Sequence, residues 1–122
     1  MRRTKIFLDA VIEHVPVPIV VRHVDGTGEK AQGGRFLLFN RAYEELTGDL
    51  RSHMIGKTAH ELFPPERADI IVKSDLETLQ GDGIVSTPEH YINTADKGLR
   101  LIKASKIAIR DDSGDAQYLL TV

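Results

Sequence analysis

The sequence predicts an α+β fold in which helices flank an antiparallel sheet. One helical pattern opens the chain, two short strand patterns follow, several helical patterns come next, and three strand patterns close it. Strands grouped in this way differ from the strand–helix alternation of a parallel sheet. Turns rich in Gly and Asp at 96–98 and 111–114 separate the last three strands, as expected for antiparallel neighbours.

Composition places the chain among ordinary globular domains and excludes several kinds of site. Its 122 residues fit one domain with a single core, and the hydrophobic and charged fractions are 41% and 28%. A net charge of -2 predicts no nucleic-acid partner. The absence of cysteine excludes disulfides and thiolate chemistry, and it suits a cytoplasmic location. No apolar run approaches the roughly 20 residues of a membrane span, so we expect no direct membrane insertion.

Residues 1–15 are predicted to form an amphipathic N-terminal helix that precedes a single domain over 16–122. Pro16 and Pro18 end this helix, since proline lacks a backbone N–H. Its apolar surface is wider than one docking stripe, so we expect it to pair with a second copy of the chain. The alternative is that it folds back over its own sheet. The apolar positions are Ile6, Phe7, Leu8, Val11, Ile12 and Val15.

The remaining elements follow from apolar periodicity. Strands at 19–24 and 36–39 should pair as a hairpin around a glycine-rich loop at 25–34. A phosphate-binding loop would instead lead from a strand into a helix, so that function is excluded for this loop. A long helix is predicted over 66–80, and its apolar face comprises Ala68, Ile71, Val72, Leu76 and Leu79. Three strands follow, at 85–91, 99–109 and 117–122.

One local motif carries more information than any other. The strand at 35–39 runs into Asn40, which can cap a helix, and Gly48 can end that helix in the left-handed conformation. Ala42, Tyr43 and Leu46 give the helix an inner face, and Ile55-Gly56-Lys57 follows seven residues after Gly48. This ordered set resembles the PAS sensory domain family. The resemblance covers nearly the whole chain, including the three C-terminal strands.

The resemblance implies a five-stranded PAS fold that works as a sensory module of a bacterial signalling protein. Such a module binds a small ligand or a partner and signals to a covalently linked output domain, often the histidine kinase of a two-component system or a cyclic-dinucleotide enzyme. The chain stops at Val122, where family members commonly continue into an Asp-Ile-Thr signature, so we expect a longer protein. Homodimers through the N-terminal helix and the outer sheet face are also implied.

Two rival functions belong to other classes. The first is a pure dimerisation or protein-interaction module with a well-packed core and no ligand. The second, a small enzyme, has little support because the adjacent carboxylates Glu44 and Glu45 point in different directions on a helix. The five histidines never share the i, i+3 or i, i+4 spacing of a helical metal pair, so no metal site and no catalytic residue is predicted.

The candidate ligand site lies between the long helix and the sheet. Asp75 falls on the apolar face of the helix, where a carboxylate needs a partner or a polar cavity, although it could instead sit solvated at the edge of that face. By resemblance, the region of His60 borders the PAS cavity. Tyrosines in such places either line a cavity or simply belong to the core. The ligand-binding residues predicted here are Tyr43, His60, Ile71, Val72, Asp75, Leu76 and Tyr91.

We predict a colourless protein without haem or flavin. Family members that bind haem through histidine usually carry the ligand on the long helix, and residues 66–80 contain none. The covalent flavin adduct of the family needs a cysteine, and the chain has none. A non-covalent small ligand remains compatible with the sequence. An absorption spectrum of the purified protein checks this, and a visible band from a bound cofactor would contradict it.

Overall fold

The structure is a computed structural model that describes the backbone of residues 2–122 and the side chains of residue 7 and residues 9–122. Within residues 2–122, five helices and seven strands follow one another, with a short 3-10 turn between the first two strands. They are α1 (Arg2–His14), β1 (Val20–Asp25), β2 (Gln32–Phe39), α2 (Arg41–Thr47), α3 (Arg51–Met54), α4 (Ala59–Leu62), α5 (Pro65–Gln80), β3 (Val85–Ser86), β4 (His90–Asn93), β5 (Leu99–Ile102), β6 (Ser105–Arg110) and β7 (Ala116–Thr121).

The predicted five-stranded antiparallel sheet is confirmed, with the strand order β2-β1-β7-β6-β3. The N-terminal helix is present, but its amphipathic character stays a prediction because the side chains of Ile6 and Leu8 lie outside the described residues. Strand β2 begins at Gln32, earlier than predicted, because the presumed loop residues Gly33 and Gly34 continue the hairpin with β1.

Two strands that the sequence predicts as continuous are interrupted. The segment at 85–91 divides into β3 and β4, and the segment at 99–109 divides into β5 and β6, so that β4 and β5 form a separate two-stranded ribbon. Pro88 lies at the first break and cannot donate to a ladder. Thr87 joins the two breaks: its N–H donates to the Ala104 carbonyl (2.8 Å), and its hydroxyl oxygen accepts from the Ala104 N–H (2.9 Å).

The hydrophobic core has two parts, one on either side of the middle of the sheet. The larger is an aromatic stack in which the ring centroids of Phe36 and Phe39 lie 5.2 Å apart and those of Phe39 and Tyr43 lie 4.8 Å apart. The smaller part packs Leu79 of α5 against Leu119 of β7. A band of polar side chains, described below, lies between them.

Asn40 anchors the segment that follows α1, and it is fully buried. Its side-chain oxygen accepts from the N–H groups of Tyr43 (3.1 Å) and Ile19 (2.9 Å), so the predicted helix cap is confirmed. Its side-chain nitrogen donates to the carbonyls of Val17 (2.8 Å) and Val15 (3.3 Å). One side chain therefore joins the start of α2 to the chain between α1 and β1.

We predict that Asn40→Ala lowers the free energy of unfolding by about 2–4 kcal/mol, because it removes a helix cap and leaves buried backbone groups without partners. Denaturant titration followed by circular dichroism measures this loss. The control is Asn93→Ala on β4, where the side chain is exposed and the change should be within about 0.5 kcal/mol. A loss below about 1 kcal/mol for Asn40→Ala would contradict the anchoring role.

Candidate functional site: a cavity beside a buried ion cluster

A cavity of about 350 Å³ lies between the inner face of the sheet and α5, and its volume is at the small end of the range for ligand pockets. Most of its wall is apolar. Side chains alternate across a strand, so the even-numbered residues of β1 and β6 point towards it. The lining comprises Val17, Pro18, Val20, Arg22, Phe36, Tyr43, Leu46, Phe63, Arg67, Ile70, Ile71, Thr87, His90, Ile92, Ile102, Lys103, Ala104, Lys106, Thr121 and Val122.

Three charged side chains meet at one edge of this cavity, and all are buried. Asp75 of α5 accepts at one carboxylate oxygen, Oδ1, from both Arg22 of β1 and Lys106 of β6. The Lys106 Nζ lies 2.6 Å from that oxygen and also donates to the carbonyl of Ile71, one turn earlier on α5, at 3.1 Å. We call these three residues, Arg22, Asp75 and Lys106, the ion cluster. It joins the long helix to two strands on either side of β7.

The backbone of β2 leaves room for the cluster at Gly33. A side chain added there would collide with the Asp75 carboxylate and would come within 2.9 Å of the Arg22 guanidinium. The presumed loop glycine is therefore a strand residue at which the sheet and the ion cluster approach closely, a common role of glycine inside strands.

Burial and charge act on Lys106 in opposite directions. Removal from water lowers the pKa of the Lys106 ammonium, the Asp75 carboxylate opposes that shift, and the neighbouring Arg22 guanidinium lowers the pKa further. The net direction is downward from the ordinary value of 10.5. Two cationic side chains share one carboxylate in this place, so with all three groups ionised the cluster carries one excess positive charge.

The other end of the cavity is aromatic. Tyr43 lies under the Phe36–Phe39 stack, and burial raises the pKa of its hydroxyl to about 12; the Asp49 carboxylate adds to this shift and the Arg67 guanidinium opposes it. Tyr43 therefore keeps its proton at neutral pH. The Arg67 guanidinium stacks on the ring of Phe63 with 3.9 Å between its central carbon and the ring centroid.

The structure places three of the predicted site residues at or beside the cavity. Tyr43 and Ile71 line it. Asp75 is only 1% exposed and lies directly behind it, so the alternative of a solvated carboxylate at the edge of the helix face is wrong. Val72 is half-buried and lies outside the lining. Contact of any of these residues with a ligand stays a prediction.

The other three predicted residues lie away from the cavity. His60 is exposed, because the capping box of Thr58 and Glu61 orients the short helix α4 so that the neighbouring Ala59 is buried instead. Leu76 is 37% exposed because the ion cluster draws Asp75, the residue before it, to the inner face of α5. Tyr91 is 66% exposed because its neighbour Ile92 fills the inward position of β4.

Sequence reasoning missed the two cations of the cluster and Arg67. The detectable signal was a charged residue at an inward position of each apolar strand, Arg22 in β1 and Lys106 in β6, together with the need of Asp75 for a partner. The pairings join residues 53 and 31 positions apart, and no local pattern specifies such distances.

A second, larger depression of about 730 Å³ lies at the far end of the sheet, between the 3-10 turn and the β6–β7 hairpin. Its lining is polar and belongs mostly to exposed turns. We therefore regard the smaller, more apolar cavity as the candidate site.

Within the part of the chain that the structure describes, no group of three His, Asp or Glu side chains is arranged to hold a metal ion. In the same part, every helix is too short or too polar to cross a bilayer.

We predict that Asp75→Asn lowers the free energy of unfolding by about 3–5 kcal/mol, because it leaves two buried cations without a counter-charge. The Asp75 charge opposes the fall in the Lys106 pKa, so its neutralisation lowers that pKa further in the folded variant. Below pH 10.5 the excess of protons on the unfolded chain is then larger for the variant than for the wild type, and rising pH favours folding of the variant more strongly. The deficit should therefore shrink as the pH is raised towards 10.5. Denaturant titrations over this pH range measure both effects.

The matched control is Asp69→Asn, since Asp69 is an exposed aspartate on the same helix and should change stability by less than about 0.5 kcal/mol. A loss below about 1 kcal/mol in Asp75→Asn, or a deficit that grows with pH, would show that the cluster does not hold α5 to the sheet.

Comparison with known proteins agrees with the fold. A family model described as PAS fold matches residues 22–122. No curated protein matches the chain. Among solved structures, the PAS-B domain of Drosophila melanogaster Cycle with bound ethylene glycol has a TM-score of 0.65 at 16% identity, covering 87% of this chain and 96% of that one.

Two microbial structures have the same fold. The phage VqmA–DPO complex has a TM-score of 0.70 at 18% identity and covers 98% of this chain, which spans only 51% of VqmA. A sensory box sensor histidine kinase from Vibrio cholerae has a TM-score of 0.63 at 15% identity, covering 99% of this chain and 90% of that one. These identities show the fold alone, whereas the family match extends over most of the sequence. The chain belongs to the PAS family of sensory domains.

Proposed function

We propose that this chain is the sensor of a bacterial signalling protein, and that a small molecule in the 350 Å³ cavity is its signal. One observation carries the proposal. The cavity wall includes the segment before β1 and the end of β7, and a conformational change could be transmitted from the domain through either of them. Val17 and Pro18 lie between α1 and β1, and Thr121 and Val122 lie at the end of β7. A ligand in the cavity would contact both segments at once.

The same two segments are held by few, well-defined contacts. Asn40 binds the carbonyls of Val15 and Val17, and Glu13 at the end of α1 pairs with Arg51 of α3 at 3.0 Å. At the other end, Val122 and Ser105 exchange a pair of backbone hydrogen bonds (2.9 and 3.0 Å). A ligand that packs differently against these segments in two states shifts the balance between the states, which is the requirement for signalling.

Structures of the same fold support a small-molecule signal. The Cycle domain has bound ethylene glycol, VqmA is in complex with DPO, and the Vibrio protein is a sensor histidine kinase. We propose that the output domain here is likewise linked covalently, as a histidine kinase or a cyclic-dinucleotide enzyme, in the cytoplasm. The module itself performs no catalysis in this proposal, and its ligand is neither haem nor flavin.

We predict that enlarging Ala104 blocks the cavity. Ala104 lies two residues before Lys106 and lines the cavity, so Ala104→Leu adds atoms inside it. Nuclear magnetic resonance of the ¹⁵N-labelled protein with benzamide, benzoate and benzylamine as probes should show shifts of cavity amides for at least one probe. Ala104→Leu should abolish those shifts.

The matched control is Ser105→Leu, which adds a side chain of the same size at the next, exposed position and should leave binding intact. Shifts that are scattered over the surface, or that persist in Ala104→Leu, would contradict a ligand site in the cavity.

A second function, homodimerisation, is favoured by the outer face of the sheet. Cross-strand pairing aligns Val21 with Leu38 and Leu120, and Leu120 with Ile107, in one apolar row. Ile107 on this face is exposed, as are Phe7 and Val11 on α1. We propose that α1 and this face together bind a second copy, because a two-fold contact would cover both.

We predict that Ile107→Glu shifts the protein from dimer to monomer in sedimentation velocity, because it places a charge in the apolar row. Removal of residues 1–12, which keeps the Val15 carbonyl that binds Asn40, should have the same effect. Ile84→Glu is the control, since Ile84 is also an exposed apolar residue but lies outside the sheet. A wild-type chain that sediments as a monomer would rule out the dimer.

A further inference from the structure

We propose that the cavity selects small organic monoanions, carboxylates with a compact apolar body, and that Arg67 binds the carboxylate. This inference rests on the proposed sensory function and specifies the chemical class of its ligand.

The first argument is the sign of the charges that line the cavity. Arg22, Arg67, Lys103 and Lys106 all contribute to the wall. Among the side chains that the structure describes, no aspartate or glutamate lines it. A wall that carries one sign of charge and is otherwise apolar attracts the opposite sign strongly, because the low-dielectric surroundings screen charge poorly.

The second argument is the charge balance inside the ion cluster. Asp75 neutralises only one of its two cationic partners, so the cluster presents an excess positive charge to the cavity. Asp75 itself stays behind the wall, where its carboxylate is held by Arg22 and Lys106. The cluster therefore favours an anion in the cavity and disfavours a cation.

The third argument singles out Arg67 as the anchor. Arg22 and Lys106 already share a carboxylate, whereas Arg67 forms no ion pair with any side chain in the described part of the chain. Stacking on Phe63 holds its guanidinium in place at 3.9 Å. A positioned guanidinium can donate two parallel hydrogen bonds to a carboxylate.

The rest of the wall defines the body of the ligand. Beyond Arg67 the cavity continues along the apolar residues Ile70, Ile71, Ile92 and Phe36. A volume of about 350 Å³ holds a single ring or a short branched chain there. In this apolar part a second carboxylate would find no free cation, since Arg22 and Lys106 already share Asp75, and its burial there is costly. One charge and one compact apolar body therefore match the site.

Isothermal titration calorimetry with three probes of nearly equal shape tests the proposal: benzoate, benzamide and benzylamine at pH 7 and low salt. We expect the wild-type protein to bind benzoate at least about tenfold more tightly than benzamide, as a charge-assisted hydrogen bond implies. Benzylamine should bind more weakly than benzamide. Arg67→Gln should remove the preference for benzoate and keep benzamide binding, which also shows that the variant is folded.

Lys73→Gln is the matched control, because it removes an exposed cation from the same helix outside the cavity and should leave all three affinities unchanged. Equal binding of benzoate and benzamide by the wild type would overturn the charge selectivity and leave the sensory site standing. A preference for benzoate that survives in Arg67→Gln would overturn the role of Arg67. Failure of every probe to bind would overturn both this inference and the proposed function.

Discussion

The shared carboxylate of Asp75 is the interaction on which the arrangement of this domain depends. It attaches α5 to β1 through Arg22 and to β6 through Lys106, and the strand between them, β7, lies beneath the helix. Buried charges are expensive to remove from water, so each of these three groups requires the others. A pairing of this kind contributes little net stability but restricts the helix to one position on the sheet. Arg22 and Lys106 also line the cavity, so the two cationic side chains of the trio face it.

The cavity follows from that restriction. With α5 held by a polar contact at its middle, the apolar residues on either side form two separate cores, Phe36 with Phe39 and Tyr43 in one and Leu79 with Leu119 in the other. The space beside the cluster remains open. Asn40 supplies a second polar junction, where the chain between α1 and β1 meets α2. Together the two junctions hold the walls of the cavity and the segments that lead out of it.

Sequence reasoning succeeds where the controlling interactions are local. The cap at Asn40 and the left-handed Gly48 each act within a few residues, and both occur as predicted. The capping box of Thr58 and Glu61 is equally local. The order of helices and strands follows from the same periodic patterns. These local rules, with the family resemblance, are sufficient for the fold.

The site was harder to predict because its contacts are non-local. Hydrophobicity favours Leu76 at the inner face of α5. The ion pairs of Asp75 with residues distant in the sequence instead turn Asp75 towards the sheet, and this orientation of the helix leaves Leu76 exposed. The same limit applies to Tyr91. Successive residues of β4 point to opposite faces, and the sequence does not specify whether Tyr91 or its neighbour Ile92 points inward. The position of Tyr43 and Ile71 at the cavity could be predicted, because each belongs to an element whose inner face is set by several apolar residues.

Hydrogen exchange measured residue by residue, in the wild type and in Asp75→Asn, tests most directly whether the ion cluster holds α5 on the sheet. Amides that exchange through local opening report the stability of their own element, not of the whole domain. The account predicts that the substitution accelerates exchange most in α5 between residues 71 and 79 and in β6, and much less in β1, β2 and α2. A uniform acceleration across all elements, or an unchanged α5, would contradict it.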